Sequence, residues 1–503
     1  MRLVAVFAAL ALSACGQRAF PEKFLYGASI AGFQADPGCP TKPAAECEDR
    51  NSDWYQFVTS ESQLSDLKPI MNFEPLAHGP GFWELYEQDF DRAKDELGLN
   101  AVRMSIEWSR IFPTATDGLE GAQLAAAADA TAIAAYHAQF QALKARGLTP
   151  LVTLNHYTLP VWIHDGVACH QNLATCANRG WLDKARLHSE IVKYSGFVAK
   201  EFGGEVDLWA TLNEPFAVVL PGYLLPSADR VNPPGVSLRI AEAKEVMVAM
   251  IEAHAKMYDA VKASDTADLD GDGVNASIGL VYPLAPAKAK DPNNRLDQRA
   301  AENIFYLYNT AFLDGVIKGL VDGDLDGKPD TAEPRGDLVG RMDYLGLNYY
   351  TRVTVKGLGS AAFPTLSPLT TFDPTDISPW EDYPKGLYEM EKYAFETYGL
   401  PVYVTETGAD GAADGDNIAR WMVRCAEWTK RAIKDGADVR GFFVWSLTDN
   451  YEWNHGMAMK FGLYAVANDA PKTRTPRSAV QAYADITRAK DVPAALLSKY
   501  PVE

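Results

Sequence analysis

The sequence predicts a single (β/α)8 TIM barrel, an α/β fold in which eight parallel strands alternate with helices. Eight short runs are apolar along their whole length, as is typical of strands in a parallel sheet covered by helices on both sides. Helical segments separate these runs, and polar side chains cluster where the runs end, which is the face that carries the site in such barrels. A chain of 503 residues exceeds the about 250 of a typical barrel, so we expect elaborated loops after the strands.

The order of elements follows from the periodicity of apolar residues. The apolar runs predict strands at residues 24–29, 101–106, 150–156, 208–213, 277–282, 344–350, 401–408 and 440–447. Helical patterns predict helices at 82–97, 122–146, 181–202, 239–264, 300–318, 386–398 and 416–435. The first two helices are followed by Gly98 and Gly147, which are typical helix ends. Residues 357–384 are rich in Pro, Ser and Thr and predict a long surface loop.

The composition is that of an ordinary globular protein, with 47% hydrophobic residues. The 47 Lys and Arg and 66 Asp and Glu give a formal net charge of -19, and no basic run offsets it. Nucleic acid and anionic membrane surfaces are therefore not expected as partners. Beyond the N-terminus no apolar run is long enough to span a membrane, so we expect a soluble body.

The N-terminus has the pattern of a bacterial secretory signal. An apolar run at 3–12 follows Arg2, and Leu-Ser-Ala-Cys-Gly at 12–16 resembles a lipobox. The resemblance implies a signal peptide at 1–14, lipidation of Cys15, a linker at 15–22 and one folded domain at 23–503. Gly16 favours the outer membrane over the inner one, with the body in the periplasm or at the cell surface and the lipid as its only membrane contact. The alternative is an ordinary signal-peptidase site beside a chance Cys.

Five further cysteines then enter an oxidising compartment. Cys39 and Cys47 flank a short Pro-rich loop, and Cys169 and Cys176 flank a short polar one. Local pairing within each loop is the simplest connectivity, and other pairings stay open. Cys425 lies in a helical pattern, which predicts a buried free thiol.

Two glutamates suggest paired carboxylate chemistry. Glu214 ends the apolar run that begins at 208, and Glu406 ends a β-branched and aromatic run. A lone Glu at a strand end is usually a solvating residue. Two glutamates in such similar settings, at the end of a barrel where catalytic groups lie, favour function.

The residues around both glutamates resemble signature motifs of the family 1 glycoside hydrolases, the β-glucosidase and β-galactosidase barrels. The two principal motifs are Thr-Leu-Asn-Glu-Pro at 211–215 and Val-Thr-Glu-Thr-Gly at 404–408. Further matches follow in the same order over nearly the whole chain, at 103–111, 155–156, 343–350 and 445–453. The resemblance implies an exo-acting, retaining β-glycosidase that needs no cofactor and acts on small β-glycosides or oligosaccharides.

Carried over by position, the resemblance makes Glu406 the nucleophile and Glu214 the acid/base. Arg103 and Tyr350 would keep Glu406 ionised, while Glu214 should lie in the drier place because a general acid must be protonated. A retaining mechanism requires the two carboxyl groups about 5–5.5 Å apart. The resemblance also implies sugar contacts, and a cis peptide bond after the tryptophan of the last strand. The implied sugar-binding residues are Gln34, His156, Asn213, Asn348, Trp445, Glu452 and Trp453.

The chain departs from the family pattern at four positions. Asp36 replaces the usual Glu, Thr407 the usual Asn, and Met457 and Met459 follow Trp453 in a loop expected to face the sugar or its rim. Members acting on 6-phospho-sugars normally lose the Glu-Trp pair that this chain retains, which argues against a phosphorylated substrate. Two alternatives stay open: a transglycosidase using the same residues, and a carbohydrate-binding protein on an inactive barrel.

One acidic loop predicts a calcium site that the family resemblance does not supply. Residues 322–333 fit the spacing of an EF-hand loop, with a backbone carbonyl at position seven. Its candidate ligands are Asp322, Asp324, Asp326, Lys328, Asp330 and Glu333. Because the loop follows a barrel helix, we expect it to lie away from the strand tips and to act structurally. A second loop with Asp268, Asp270 and Asp272 fits less well, and a solvated acidic turn is the alternative for both.

Overall fold

Eight parallel strands form a closed barrel in the computed structural model of the chain, which describes residues 19–363, 368–378 and 380–502. Each strand pairs with its neighbour in chain order, and the first strand closes the barrel against the last, with Leu25 opposite Gly441 and Ser29 opposite Trp445. The strands are Leu25–Ser29, Ala101–Ser105, Thr149–Asn155, Leu208–Asn213, Ser277–Pro283, Tyr344–Tyr349, Val402–Thr407 and Val439–Trp445. The predicted barrel is confirmed, with small differences at the strand ends.

The barrel interior near the strand starts is filled by side chains, so the barrel is packed rather than open. These side chains belong to Ala101, Leu151, Ala210, Val281, Tyr344, Tyr403 and Phe443. A much larger apolar core lies between the strands and the surrounding helices. The packed interior leaves the opposite end of the barrel, where the strands end, as the place for a site.

Helices cover the outside of the barrel between successive strands. The longer ones are Phe82–Asp91, Gly121–Ala127, Ala130–Ala145, Lys184–Phe202, Ile240–Ser264, Arg295–Phe305, Lys385–Tyr398, Asp416–Lys434 and Ser478–Ala489. The prediction of one helix over 122–146 is wrong because the chain breaks at Asp129, whose side chain accepts hydrogen bonds from the backbone of Thr131 and Ala132 and caps a second helix. The predicted helix near 300–318 continues in wider turns to Lys318, and Gly319 at φ 67° ends it.

Part of the predicted surface loop at 357–384 is a small sheet. The strand Val353–Gly357 pairs antiparallel with Phe372–Ser378 and parallel with Ala287–Ala289. The loop prediction is wrong here because Val355 and Phe372 are buried against the helix that begins at Arg295, a contact that a Pro- and Thr-rich composition does not reveal.

Both predicted disulfides are present. Cys39 pairs with Cys47 and Cys169 with Cys176, across Cα distances of 6.0 and 4.9 Å, and Cys425 is the buried free cysteine in the part of the chain that the structure describes. No described helix combines the length and the apolar character that crossing a membrane requires. The predicted signal peptide at 1–14 and the lipidated Cys15 lie outside the described residues, as does the start of the linker at 15–22.

Candidate active site

A cavity of 460 Å³ opens at the end of the barrel where the strands end. Of the residues predicted for catalysis or sugar binding, those that line it are Gln34, His156, Glu214, Asn348, Tyr350, Glu406, Trp445, Glu452 and Trp453. Arg103 and Asn213 lie just behind this lining, where they hydrogen-bond one another and are almost fully buried. The structure therefore brings together every residue of the predicted catalytic and sugar-binding set.

Glu406 is the second-last residue of the seventh strand, and two neighbours hold its carboxyl oxygens. The Arg103 guanidinium contacts Oε1, and the Tyr350 hydroxyl donates a hydrogen bond to Oε2 across 2.6 Å. Burial raises the pKa of Glu406 to about 7, the Arg103 charge opposes that rise, and the Glu214 carboxylate adds to it. Arg103 and Tyr350 thus favour the ionised form of a carboxylate that is only 4% exposed.

Glu214 follows the fourth strand in a left-handed backbone conformation, with φ at 44°. The next residue, Pro215, disfavours the right-handed conformation at this position, and the left-handed one costs roughly 1–2 kcal/mol. Asn348 donates to Oε1 across 2.8 Å and Tyr157 donates to Oε2 across 2.6 Å. Glu214 is half-buried, whereas Glu406 is buried because Arg103 and Tyr350 enclose its carboxylate. The expectation that Glu214 lies in the drier place is therefore wrong.

Asn213 and His156 have orientations that the surrounding hydrogen bonds determine. The Asn213 Oδ1 accepts from Arg103 across 2.7 Å, so its Nδ2 faces Nε2 of His156 at 3.2 Å. Burial, together with the charges of Arg103 and Arg230, lowers the pKa of His156 well below its usual range, so the ring is neutral. Its Nε2 therefore accepts from Asn213, and Nδ1 carries the proton.

Two buried polar atoms beside the carboxylates have no protein partner among the residues described. One is Nδ1 of His156 and the other is Oε1 of Gln34, whose Nε2 donates to Asn450 across 3.0 Å and to Glu452 across 2.9 Å. Both residues line the cavity and are at least 97% buried, with exposures of 3% and 0%. A buried unpaired donor and acceptor at the inner end of a cavity are the pattern that a hydroxyl-rich ligand satisfies.

Aromatic rings enclose the same end of the cavity. The His156 ring stacks with Trp445 and with Trp453, at centroid distances of 6.0 and 6.1 Å, and Phe33 also stacks with Trp453, at 5.8 Å. The peptide bond between Trp445 and Ser446 is cis, as the resemblance implied. A flat apolar wall beside polar hydrogen-bonding groups suits the two faces of a sugar ring.

The sequence reasoning missed two residues of this site. Tyr157 hydrogen-bonds Glu214, and its position directly after His156 was the one available signal. Arg230 lies in the connection before the helix Ile240–Ser264, where no pattern marks it. Its guanidinium is 3.4 Å from Oε1 of Glu452 and lies over the rings of Tyr157 and Trp453.

Most departures from the family pattern lie away from the cavity. Asp36 pairs with Arg110 behind the first strand, and Thr407 accepts a hydrogen bond from Trp421. Met457 lines a separate small pocket, whereas Met459 lies in the cavity wall. The expectation that Met457 and Met459 both face the sugar or its rim is therefore met by Met459, and Met457 lies elsewhere because its backbone is bonded to Glu74.

The acidic loop that follows Lys318 brings three carboxylates together. Oxygens of Asp322, Asp324 and Asp326 lie within 4.8 Å of one another, while Asp330 accepts from the backbone of Gly323. The expectation that the loop lies away from the strand tips is wrong, because Leu325 lines the same cavity as Glu214 and Glu406. In the second acidic loop, Asp268 and Asp270 group with Asp207, which directly precedes the fourth strand, rather than with Asp272 as the spacing suggested.

Comparison with known proteins gives relatives over most of this chain. The family model described as Glycosyl hydrolase family 1 matches residues 16–492. A β-galactosidase from Pyrococcus woesei is 36% identical over 91% of this chain and 94% of its own length. A β-galactosidase from Sulfolobus acidocaldarius is 32% identical over 94% of this chain and 96% of its own.

Solved structures agree with this assignment. The β-glycosidase from the hyperthermophile Thermosphaera aggregans superposes with a TM-score of 0.80 at 28% identity, over 96% of this chain and 100% of the other. The β-glucosidase from Pyrococcus furiosus gives a TM-score of 0.78 at 28% identity, over 96% and 98%. The chain belongs to glycosyl hydrolase family 1, and it is a retaining, exo-acting β-glycosidase of that family.

Proposed function

We propose that Glu406 is the nucleophile and Glu214 the acid/base in the removal of a neutral, unphosphorylated glycosyl residue from the non-reducing end of a β-glycoside. The observation that supports this most directly is the shared network of the two carboxyl groups. Arg103 bonds both Glu406 and Asn213, while Asn348 bonds both Glu214 and Asn213. A retaining displacement needs two such groups about 5–5.5 Å apart.

Each glutamate has surroundings that suit its proposed role. Glu406, between Arg103 and Tyr350, attacks the anomeric carbon and forms the glycosyl-enzyme. Glu214 protonates the glycosidic oxygen as the bond to the aglycone breaks, and then accepts a proton from the water that releases the sugar. Asn213 would donate to the 2-hydroxyl, a contact that strengthens at the transition state.

The inner end of the cavity supports recognition of a neutral, terminal sugar. Gln34 and Trp453 are almost fully buried and close this end, so a chain cannot extend past it. The Glu452 carboxylate accepts from Gln34 and faces the sugar position, where it would repel a phosphate. Rates on aryl β-glucoside, galactoside, fucoside and mannoside, each with its 6-phosphate, test this assignment; faster turnover of the phosphorylated form would contradict it.

Azide rescue tests the two catalytic roles separately. Without Glu406, azide attacks from the vacated face of an activated aryl β-glycoside and gives the inverted α-glycosyl azide. Without Glu214, azide reacts with the glycosyl-enzyme and gives the β-glycosyl azide. We expect Glu406→Ala to yield the first product and Glu214→Ala the second. The reverse pattern of products would exchange the two roles.

We also propose that the chain is a lipoprotein of the periplasm or cell surface, with a signal peptide at 1–14 and a lipidated linker at 15–22. The lipobox-like sequence at 12–16 supports this proposal, and so do two disulfides, which form in oxidising compartments. Radiolabelled palmitate should label the wild-type protein but not Cys15→Ser. Equal labelling, or a wild type recovered in the soluble periplasmic fraction, would contradict lipidation.

A structural calcium ion in the loop at 322–333 is the last part of the proposal. The spacing of its acidic residues and the convergence of three carboxylates support it. Lys328 would contribute its backbone carbonyl, and Asp330 and Glu333 would have to turn toward the ion, since the group that has converged consists of Asp322, Asp324 and Asp326.

A further inference from the structure

The part of the cavity beyond Glu214 has a different chemical character from the sugar end. The short helix after Glu214 contributes Phe216 and the turn that follows contributes Leu220. The wider turns after the helix Arg295–Phe305 contribute Leu307 to the same lining. The small sheet contributes Phe372 and Ile377. This wall is built largely from aliphatic and aromatic side chains, whereas the sugar end presents carboxylate, amide and imidazole groups.

The apolar wall lies on the leaving-group side of the reaction centre. A general acid protonates the glycosidic oxygen, so the aglycone extends from that oxygen away from the nucleophile. The helix that carries part of the wall begins at Pro215, directly after Glu214, and Phe216 packs edge-on against Tyr308 at 5.2 Å. What occupies this space during the reaction is therefore the aglycone.

The outer edge of the wall also exposes apolar side chains, beside polar residues such as Ser227 and Asp229. Among the described residues, seven large hydrophobic side chains are exposed, and three of them line this cavity. These are Leu225, Leu238 and Trp380, with exposures of 39%, 58% and 56%. Their concentration at one mouth is the feature that distinguishes a ligand groove from single hydrophobic residues scattered over a surface.

We propose that the natural substrates carry a bulky apolar aglycone, such as a long alkyl, terpenoid or polycyclic aromatic group, rather than a second sugar. A sugar in this position would exchange hydrogen bonds with water for contacts with a largely apolar wall, whereas an apolar group gains free energy with every methylene that it buries. The inference rests on the proposed function, because it uses the assignment of Glu214 as the acid.

A homologous series of alkyl β-glycosides tests the inference, built on the glycone that the enzyme hydrolyses fastest. Along methyl, butyl, hexyl and octyl aglycones the chemistry of the leaving group is nearly constant, so changes in kcat/KM report binding. We expect kcat/KM to rise about fourfold per methylene until the chain reaches the mouth. The disaccharide with the same glycone should resemble the methyl glycoside.

The mouth residues provide the matched variants. Replacing Leu225, Leu238 and Trp380 together by Gln should lower the octyl-to-methyl ratio of kcat/KM by about tenfold or more, since several buried methylenes are affected. The control is Leu296→Gln. Leu296 is 44% exposed, which is within the range of the three mouth residues, and it lies outside the cavity. This variant should leave the octyl-to-methyl ratio unchanged.

The outcomes separate this inference from the proposed function. A flat alkyl series, a disaccharide hydrolysed faster than the octyl glycoside, or an unchanged ratio in the triple variant would overturn the apolar aglycone. In each case 4-nitrophenyl glycosides would still be hydrolysed. Loss of turnover on every 4-nitrophenyl β-glycoside would instead overturn the proposed function.

Discussion

The hydroxyl of Tyr157 donates a hydrogen bond to Oε2 of Glu214 across 2.6 Å. Asn348 holds the other oxygen, so both oxygens of the carboxylate have fixed partners. Tyr157 itself has a left-handed backbone, with φ at 71°, which directs a residue of the third loop across to the end of the fourth strand. The orientation of Glu214, the proposed acid/base, therefore depends on a side chain outside the pair of glutamates.

Replacement of Tyr157 by Phe should reduce kcat for alkyl glycosides by about tenfold or more, because a hydrogen bond to a charged group contributes about 1.5–3 kcal/mol. Activated aryl glycosides, which need little proton donation, should lose much less. The control is Tyr223→Phe, since Tyr223 is also buried and its hydroxyl has no partner among the described residues. Equal losses on both substrate types would assign Tyr157 a merely structural role.

The pKa of Glu406 should determine the acid limb of the pH profile of kcat/KM. Burial raises the pKa of Glu406 to about 7, and the nearby Glu214 carboxylate adds to the rise, while the Tyr350 hydrogen bond lowers it. Activity that requires ionised Glu406 is lost as pH falls through this pKa. Tyr350→Phe should therefore move the acid limb of kcat/KM to higher pH, and Glu214→Gln should move it to lower pH.

An activated aryl glycoside is the substrate for this measurement, because it remains measurable without the acid. Shifts of both variants in the same direction would contradict the assignment of the limb to Glu406.

Arg230 should position Glu452 for the sugar. Burial raises the pKa of Glu452, and the Arg230 charge lowers it, so removal of the guanidinium favours the protonated carboxyl. Arg230→Met should raise KM about tenfold with little change in kcat, and the defect should grow as pH falls. Arg230→Lys keeps the charge but loses the planar contact with Tyr157 and Trp453. Its KM should therefore lie between those of the wild type and Arg230→Met. A pH-independent defect in Arg230→Met would refute this role.

The sequence predicted the features of the fold and the site that depend on regular secondary structure. Strands that alternate with helices must end on one face, so Glu214 and Glu406 could be placed together although nearly two hundred residues separate them. Arg230 and the strand Phe372–Ser378 were missed because they belong to long connections, where tertiary contacts rather than periodicity determine the conformation. The relative burial of the two glutamates was also wrong, since it depends on which neighbours enclose each one.

The disulfide between Cys169 and Cys176 should stabilise the loop after the third strand. Closing a loop of this length lowers the conformational entropy of the unfolded chain, which stabilises the folded state by about 2–3 kcal/mol. Cys169→Ala/Cys176→Ala should therefore lower Tm, as measured by calorimetry. With Cys39–Cys47 also present, a reductant should lower the Tm of both proteins but by less in the variant. An unchanged Tm in the variant would show that the bond contributes no stability.

Calcium should raise Tm if the loop at 322–333 binds it. A ligand at a hundred times its Kd stabilises the folded state by about 2.7 kcal/mol, and chelation should remove that gain. Asp324→Asn/Asp326→Asn should abolish the shift, while Asp268→Asn/Asp270→Asn serves as the comparison in the second acidic loop. Because Leu325 lines the cavity, chelation should also lower kcat/KM for large aglycones. A Tm that chelation does not change would exclude the site.

The pairing of the first strand with the last has a consequence for how the enzyme is made. Gln34 and Glu452, which line the inner end of the proposed sugar site, are 418 positions apart and hydrogen-bond directly. During synthesis, Gln34 cannot hydrogen-bond Glu452 until almost all of the protein has been produced. A chain that terminates before Glu452 lacks a residue of the proposed sugar site, so hydrolysis should report that the chain has been made and folded at least as far as Glu452.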